Sequence, residues 1–254
     1  MSTIKVEDIA HVRFAAPDLE AMKAFLGEFG LIEEPSSHGV LYMRGTGPQP
    51  FLHATSLGQP AFQALGLRAE SVNDLQTLAA SEGVSVEESS APGGGLVVGL
   101  RDPNGFRVEV VAGQNPAADL ALSKEHARND ARAKTRLRAP TRLAEGPAHV
   151  VRLGHAVLEV KDFRASESWY KSRFGFVTSD EIELAPGMAI GAFLLSNRVQ
   201  LRPPFRVQFR PPPGERLAVH RGTRARSGAP WRSAAKRAGV AVDCRVGTIF
   251  RRDF

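Results

Sequence analysis

Two stretches of this chain repeat each other at an offset of 144 residues, and that repetition restricts the folds open to it. One stretch runs Ala10-His11-Val12-Arg13-Phe14, then Pro17-Asp18-Leu19, then Phe25-Leu26 and Phe29-Gly30-Leu31. The other runs Gly154-His155-Ala156-Val157-Leu158, then Lys161-Asp162-Phe163, then Trp169-Tyr170 and Phe174-Gly175-Phe176. Each reads as a strand carrying a histidine, an aspartate at a helix N-cap, an amphipathic helix, and a glycine at the helix exit. In the first helix Leu19, Met22, Phe25 and Leu26 form one apolar face. Phe163, Trp169, Tyr170 and Phe174 do the same in the second.

The first copy continues with strands at 40–43, 50–53 and, more weakly, 65–69. A helix over 74–80 follows, capped at Ser71 or Asn73. Leu96–Leu100 and Phe106–Val111 then form a hairpin around Asp102-Pro103-Asn104-Gly105, a strong turn signal. The order is βαβββ followed by another βαβββ. Residues 1–112 therefore read as a first module and 113–149, with mixed charge and no strand pattern, as a connector. The second module opens at about Val150, with strands near 176–182 and 188–196. The fold class is α+β, built from paired βαβββ repeats.

At these residues the chain resembles the vicinal oxygen chelate superfamily, which includes glyoxalases, bleomycin-resistance proteins and extradiol dioxygenases. Arg101-Asp102-Pro103-Asn104-Gly105-Phe106 followed by the Glu109 strand is similar to the family's module ending. Two modules with Arg152-Leu153-Gly154-His155 opening the second resemble type I extradiol ring-cleavage dioxygenases. The run Gly187-Met188-Ala189-Ile190-Gly191-Ala192-Phe193-Leu194 is in keeping with them. The resemblance covers roughly residues 7–196.

It implies an enzyme that opens catechol-type aromatics with O2, using Fe(II), with Mn(II) as the alternative metal. Two histidines and one carboxylate on one face of the ion leave positions free for substrate and oxygen. His155 matches the first of these ligands. His11 and Glu109 fall at the corresponding places of the first module, but its middle place falls near Ala64. That module is therefore expected to be structural and metal-free. A metal shared with another chain through His11 and Glu109, as in glyoxalases, is the minor alternative. His53 and His38 read as strand and turn residues. The family often forms homo-oligomers.

Charge divides the chain sharply. Residues 1–196 carry a net −5 and residues 197–254 a net +11, with 13 Arg, 6 Pro and only 2 Leu in that last segment. Pro203-Pro204 and Pro211-Pro212-Pro213 should break any central strand there. The segment reads as an aberrant Arg/Pro-rich tail that leaves the second module as a first half, 150–196. The family's second His and final Glu do not appear in recognisable form. His220 has a tolerable spacing but a loop-like setting, and Glu215, Asp243 and Asp253 lie on no convincing strand. The tail lacks the aromatic platform or groove-reading helix that nucleic-acid binding would use.

A one-base slip near residue 197 accounts for this text. In one shifted frame Gln200–Phe205 permits Asn-Tyr-Asp-His-His-Ser, and in the other Arg245–Phe250 permits Gly-Arg-His-Asp-Phe. As written, the chain should be inactive and expose unpaired sheet edges. A metal-free small-molecule-binding protein on the same fold is the alternative reading. No apolar run approaches the length of a membrane span and no secretory leader is legible. A single cysteine excludes an internal disulfide and suits a reducing cytoplasm.

Overall fold

An apolar, β-prone run from Val6 to Ala16 forms β1 (Val6–Ala16), and Asp18 then starts α1 (Leu19–Glu28) by accepting a hydrogen bond from the Ala21 amide at 2.9 Å. The computed structural model describes residues 2–35, 39–118, 120, 147, 149–196, 206–210 and 246–252. His38, His220, Glu215, Asp243 and Asp253 lie outside them.

The first repeat continues as β2 (Ile32–Glu34), β3 (Val40–Arg44) and β4 (His53–Leu57). The second comprises β5 (Ala61–Ala69), α2 (Val72–Glu82), β6 (Glu87–Glu88), β7 (Leu96–Arg101) and β8 (Arg107–Ala112). The strand expected at 50–53 begins only at His53. The Leu52 backbone still bridges its neighbours, donating to Met43 O and accepting from Val12 N. Ser71 is the cap of α2, and its hydroxyl accepts from the Asp74 amide. All eight strands join one mixed sheet in the order β2-β3-β4-β1-β5-β8-β7-β6.

The second module has β9 (Val150–Glu159), α3 (Phe163–Phe174), β10 (Phe176–Ala185) and β11 (Met188–Ser196). Gly175, at φ 69°, ends α3 in the left-handed conformation that glycine adopts without penalty. Two further strands, β12 (Arg206–Arg210) and β13 (Val246–Arg252), correct the expectation that nothing after residue 196 enters the sheet. The prolines do not prevent β12, because Pro203-Pro204 and Pro211-Pro212-Pro213 flank it and leave a six-residue window, five of which form the strand. The module's sheet runs β10-β11-β12-β9-β13, which is the order β2-β3-β4-β1-β5 over again. The sense of pairing repeats too: β9 is parallel to β12 and antiparallel to β13, as β1 is to β4 and β5. Among the described residues this module thus holds one complete βαβββ repeat and the first strand of another.

One apolar core runs through both modules, from Ile9, Leu67 and Val110 to Leu153, Tyr170 and Phe174. Polar contacts fix their alignment. Arg152 Nη1 donates to the buried Asp8 carboxylate at 3.0 Å, and the Thr3 and Ile4 amides donate to carbonyls at the end of α3. The Asp102–Gly105 turn packs against the second module. Asn104 Nδ2 donates to Ser166 Oγ at 2.8 Å, and Asn104 Oδ1 accepts from the Lys161 amide at 3.1 Å. The buried Tyr170 hydroxyl interacts with Asp102, whose carboxyl burial raises above the usual range. Replacing Asn104 with Ala should therefore lower unfolding stability by about 1–3 kcal/mol, since Ser166 and the Lys161 amide lose partners. Denaturant unfolding of the variant checks this; an unchanged midpoint would show that the turn does not hold the modules together.

Candidate functional site

The ladder of β1, β5, β8 and β7 lines up four positions across the sheet. His11 pairs with Gly66, Gly66 with Glu109, and Glu109 with Gly99. Glu109 is thus flanked on both sides by glycine. The space this leaves is used by longer side chains from neighbouring positions. The His11 ring lies over Gly66, so close that a Cβ there would stand 2.5 Å from ring atoms. The Arg107 guanidinium lies over Gly99, 3.2 Å from where its Cβ would be.

These side chains converge on one carboxylate. Glu109 Oε2 meets His11 Nε2 at 2.9 Å and accepts from Arg13 Nε at 2.7 Å, while Oε1 accepts from Arg107 Nε at 3.0 Å. Burial alone would raise the Glu109 carboxyl. The hydrogen bonds from His11 and Arg13 and the charge of Arg13 outweigh it and hold the group well below the usual carboxylate range. Burial lowers the His11 pKa, and the bond to Glu109 only partly offsets this, so the ring is neutral and donates through Nε2. The Arg13 guanidinium carbon lies 5.4 Å from the centre of the Phe51 ring and 6.0 Å from that of Tyr42. Beside it is a cavity of about 190 Å³ lined by His11, Arg13, Tyr42, Phe51 and Glu109, with Glu87 and Glu88 exposed among its walls.

His11 and Glu109 do come together, as their metal-equivalent places require. The middle place is corrected from Ala64 to Gly66, because Ala64 pairs with Arg13 instead. Glycine offers no ligand, and Arg13 and Arg107 already occupy the carboxylate. Arg13, Arg107 and the two glycines were not read as site residues. The signal was present in His11-x-Arg13 and Arg107-x-Glu109, since alternate residues of a strand share a face.

His155 sits half-buried on β9, its ring centre 6.1 Å from that of Phe193. The register sets Ile249 of β13 and Arg206 of β12 beside it. Ile249 corresponds to Gly66 of the first module, and neither isoleucine nor arginine ligates iron. Among the described residues no three His, Cys, Asp or Glu side chains are grouped to share a metal. The residues at hand therefore do not fit an Fe(II) centre at His155.

His53 opens β4, buried and stacked on Phe14 at 5.2 Å, with Nδ1 3.2 Å from the Thr55 hydroxyl. Burial pushes its pKa down to about 4. The unfolded chain takes up this proton near pH 6.5, the folded chain only near 4. The stabilisation is thus complete above pH 6.5 and disappears as pH falls towards 4, a contribution of up to about 3 kcal/mol. The melting temperature should fall between pH 7 and pH 5, and His53→Gln should flatten that slope. A slope unchanged in the variant would locate the pH dependence elsewhere. Gly66→Ala should cost about 3 kcal/mol by driving the His11 ring off Glu109. Thermal unfolding measures this, and wild-type stability would mean the ring has room to move.

No protein-family model matches the chain, and no curated protein matches it. Solved structures do. A Mn(II)-bound glyoxalase from Novosphingobium aromaticivorans superposes with a TM-score of 0.60 at 19% identity, over 82% of this chain and 63% of its own. Homoprotocatechuate 2,3-dioxygenase from Arthrobacter globiformis gives 0.61 at 16% identity, over 84% and 62%. The 2,3-dioxygenase LapB from Pseudomonas sp. KL28 gives 0.62 at 15%, over 84% and 72%. This chain thus spans under two thirds of the first two proteins. The α+β architecture of paired βαβββ repeats is the vicinal oxygen chelate fold. No described helix is long and apolar enough to cross a membrane.

Proposed function

We propose that this chain derives from an Fe(II)-dependent extradiol dioxygenase of catechol-type aromatics and does not itself cleave catechols. The single observation behind this is the register of His155, with Ile249 opposite where a second imidazole would be needed. His155 is then the counterpart of the family's first metal ligand, left without ligand-type residues on β12 or β13. In this reading 1–112 is the structural module, 113–149 the connector, and 150 onward the former catalytic module. A single imidazole holds Fe(II) too weakly for it to persist in dilute protein, and among the described residues none joins His155 to supply the carboxylate that balances the ion's charge.

Purified chain loaded with Fe(II) under anaerobic conditions, desalted and mixed with catechol and O2, should retain less than one iron per chain. It should consume oxygen at the protein-free rate. Stoichiometric iron and a yellow ring-opened product would overturn the proposal.

One shifted reading puts a histidine on this strand. The shifted reading of 245–250, Gly-Arg-His-Asp-Phe, overlaps β13, and its histidine codon spans those of Gly247 and Thr248, one residue from Ile249 and opposite Ala156. We infer that the parent gene encodes a histidine on this strand. Sequencing across the codons for 190–205 should reveal one base gained or lost, restoring that histidine and a later glutamate. An intact frame as written would make the tail a genuine divergence of this chain.

A further inference from the structure

We propose that the cavity of the first module binds a small aromatic monocarboxylate, with the carboxylate on Arg13. This does not rest on the reading of the second module, since every residue involved lies between 11 and 114. Glu109 cannot recognise a ligand there. Both of its oxygens are taken, by His11, Arg13 and Arg107. Arg13 is the charged group on the cavity wall with donors to spare. A guanidinium has five N–H donors; Nε goes to Glu109, and the group lies over the Tyr42 ring, 6.0 Å from its centre. What remains is a fork suited to a planar carboxylate.

Arg107, outside the cavity, holds the other oxygen of Glu109, so Arg13 stands at the floor as the cation, beside a neutral His11. A buried ion cluster of this kind adds little stability compared with apolar packing, so a ligand is a reason for its presence. Phe51 and Tyr42 back the cavity as largely buried rings set 76° to one another, with the Arg13 guanidinium over them. The volume, about 190 Å³, exceeds the about 150 Å³ known to admit a benzene ring, leaving room for one carboxylate. Glu87 and Glu88 oppose a second negative charge at the mouth, which selects a monoanion.

The full-length chain should be titrated with benzoate, o-phthalate and benzylammonium by calorimetry and ligand-observed NMR. We expect one saturable benzoate site per chain, with phthalate and benzylammonium about tenfold weaker or more. Arg13→Lys keeps the charge but loses the fork and should weaken benzoate by about tenfold. Val97→Phe fills the cavity from β7 without touching the charges and should abolish binding, so it decides the matter if Arg13→Lys fails to fold. Cooperative melting certifies each protein used. Absence of saturable benzoate binding by folded wild-type chain, binding indifferent to Val97→Phe, or a preference for benzylammonium would each overturn the proposal.

Discussion

The first module depends on β1 being hydrogen-bonded along both edges, to β4 in parallel and to β5 in antiparallel sense. A strand so enclosed cannot slip by one residue without turning its whole apolar set outward. That fixes Ile9 and Val12 in the core and fixes His11 and Arg13 on the opposite, cavity-bearing face. The second module repeats the constraint with β9 between β12 and β13. Position along the central strand is therefore what equates His11 with His155, and Gly66 with Ile249.

The charge cluster around Glu109 follows from that register and from two missing side chains. Had Gly66 carried even a methyl group, His11 would be pushed from its place above the sheet, and one at Gly99 would press on the Arg107 guanidinium. Desolvating a carboxylate is costly unless its lone pairs are filled. Here three donors from two strands do so. The result is a rigid anion with its own cations, on a sheet face that in this fold can instead hold a metal.

Much of the architecture was readable because it is periodic and punctuated. Asp18, Ser71 and Asp162 each mark a helix start, and each side chain accepts a backbone amide as an N-cap does. The 144-residue offset equated the two central strands before any coordinates. Two things were not readable. Six residues between proline clusters give too short a window for alternation to register, so β12 emerges only from its pairing with β9 and β11. The middle position of the first module depended on bulges in the β1–β5 ladder, between Ile9 and His11 and between Arg13 and Phe14. Counting along the sequence cannot locate such bulges, and so pointed to Ala64 instead of Gly66.

The Asp102–Gly105 turn has a consequence for how this fold can vary. Hairpin turns on β proteins ordinarily accept inserted residues, because a few more residues change loop entropy only slightly. This one does not have that freedom. Asp102 accepts from the Asn104 and Phe106 amides within the turn, while the same four residues grip α3 through Asn104 and Tyr170. Its length is set from two directions, by the hairpin and by the neighbouring module. The sharp turn joining β4 to β5, where Leu57 is exposed to solvent, is tied within its own module, by the Gly58 amide to Ala16 O. Length variation among chains of this architecture should collect there, so that one end of the module is a hinge point for divergence and the other a fixed gauge of spacing.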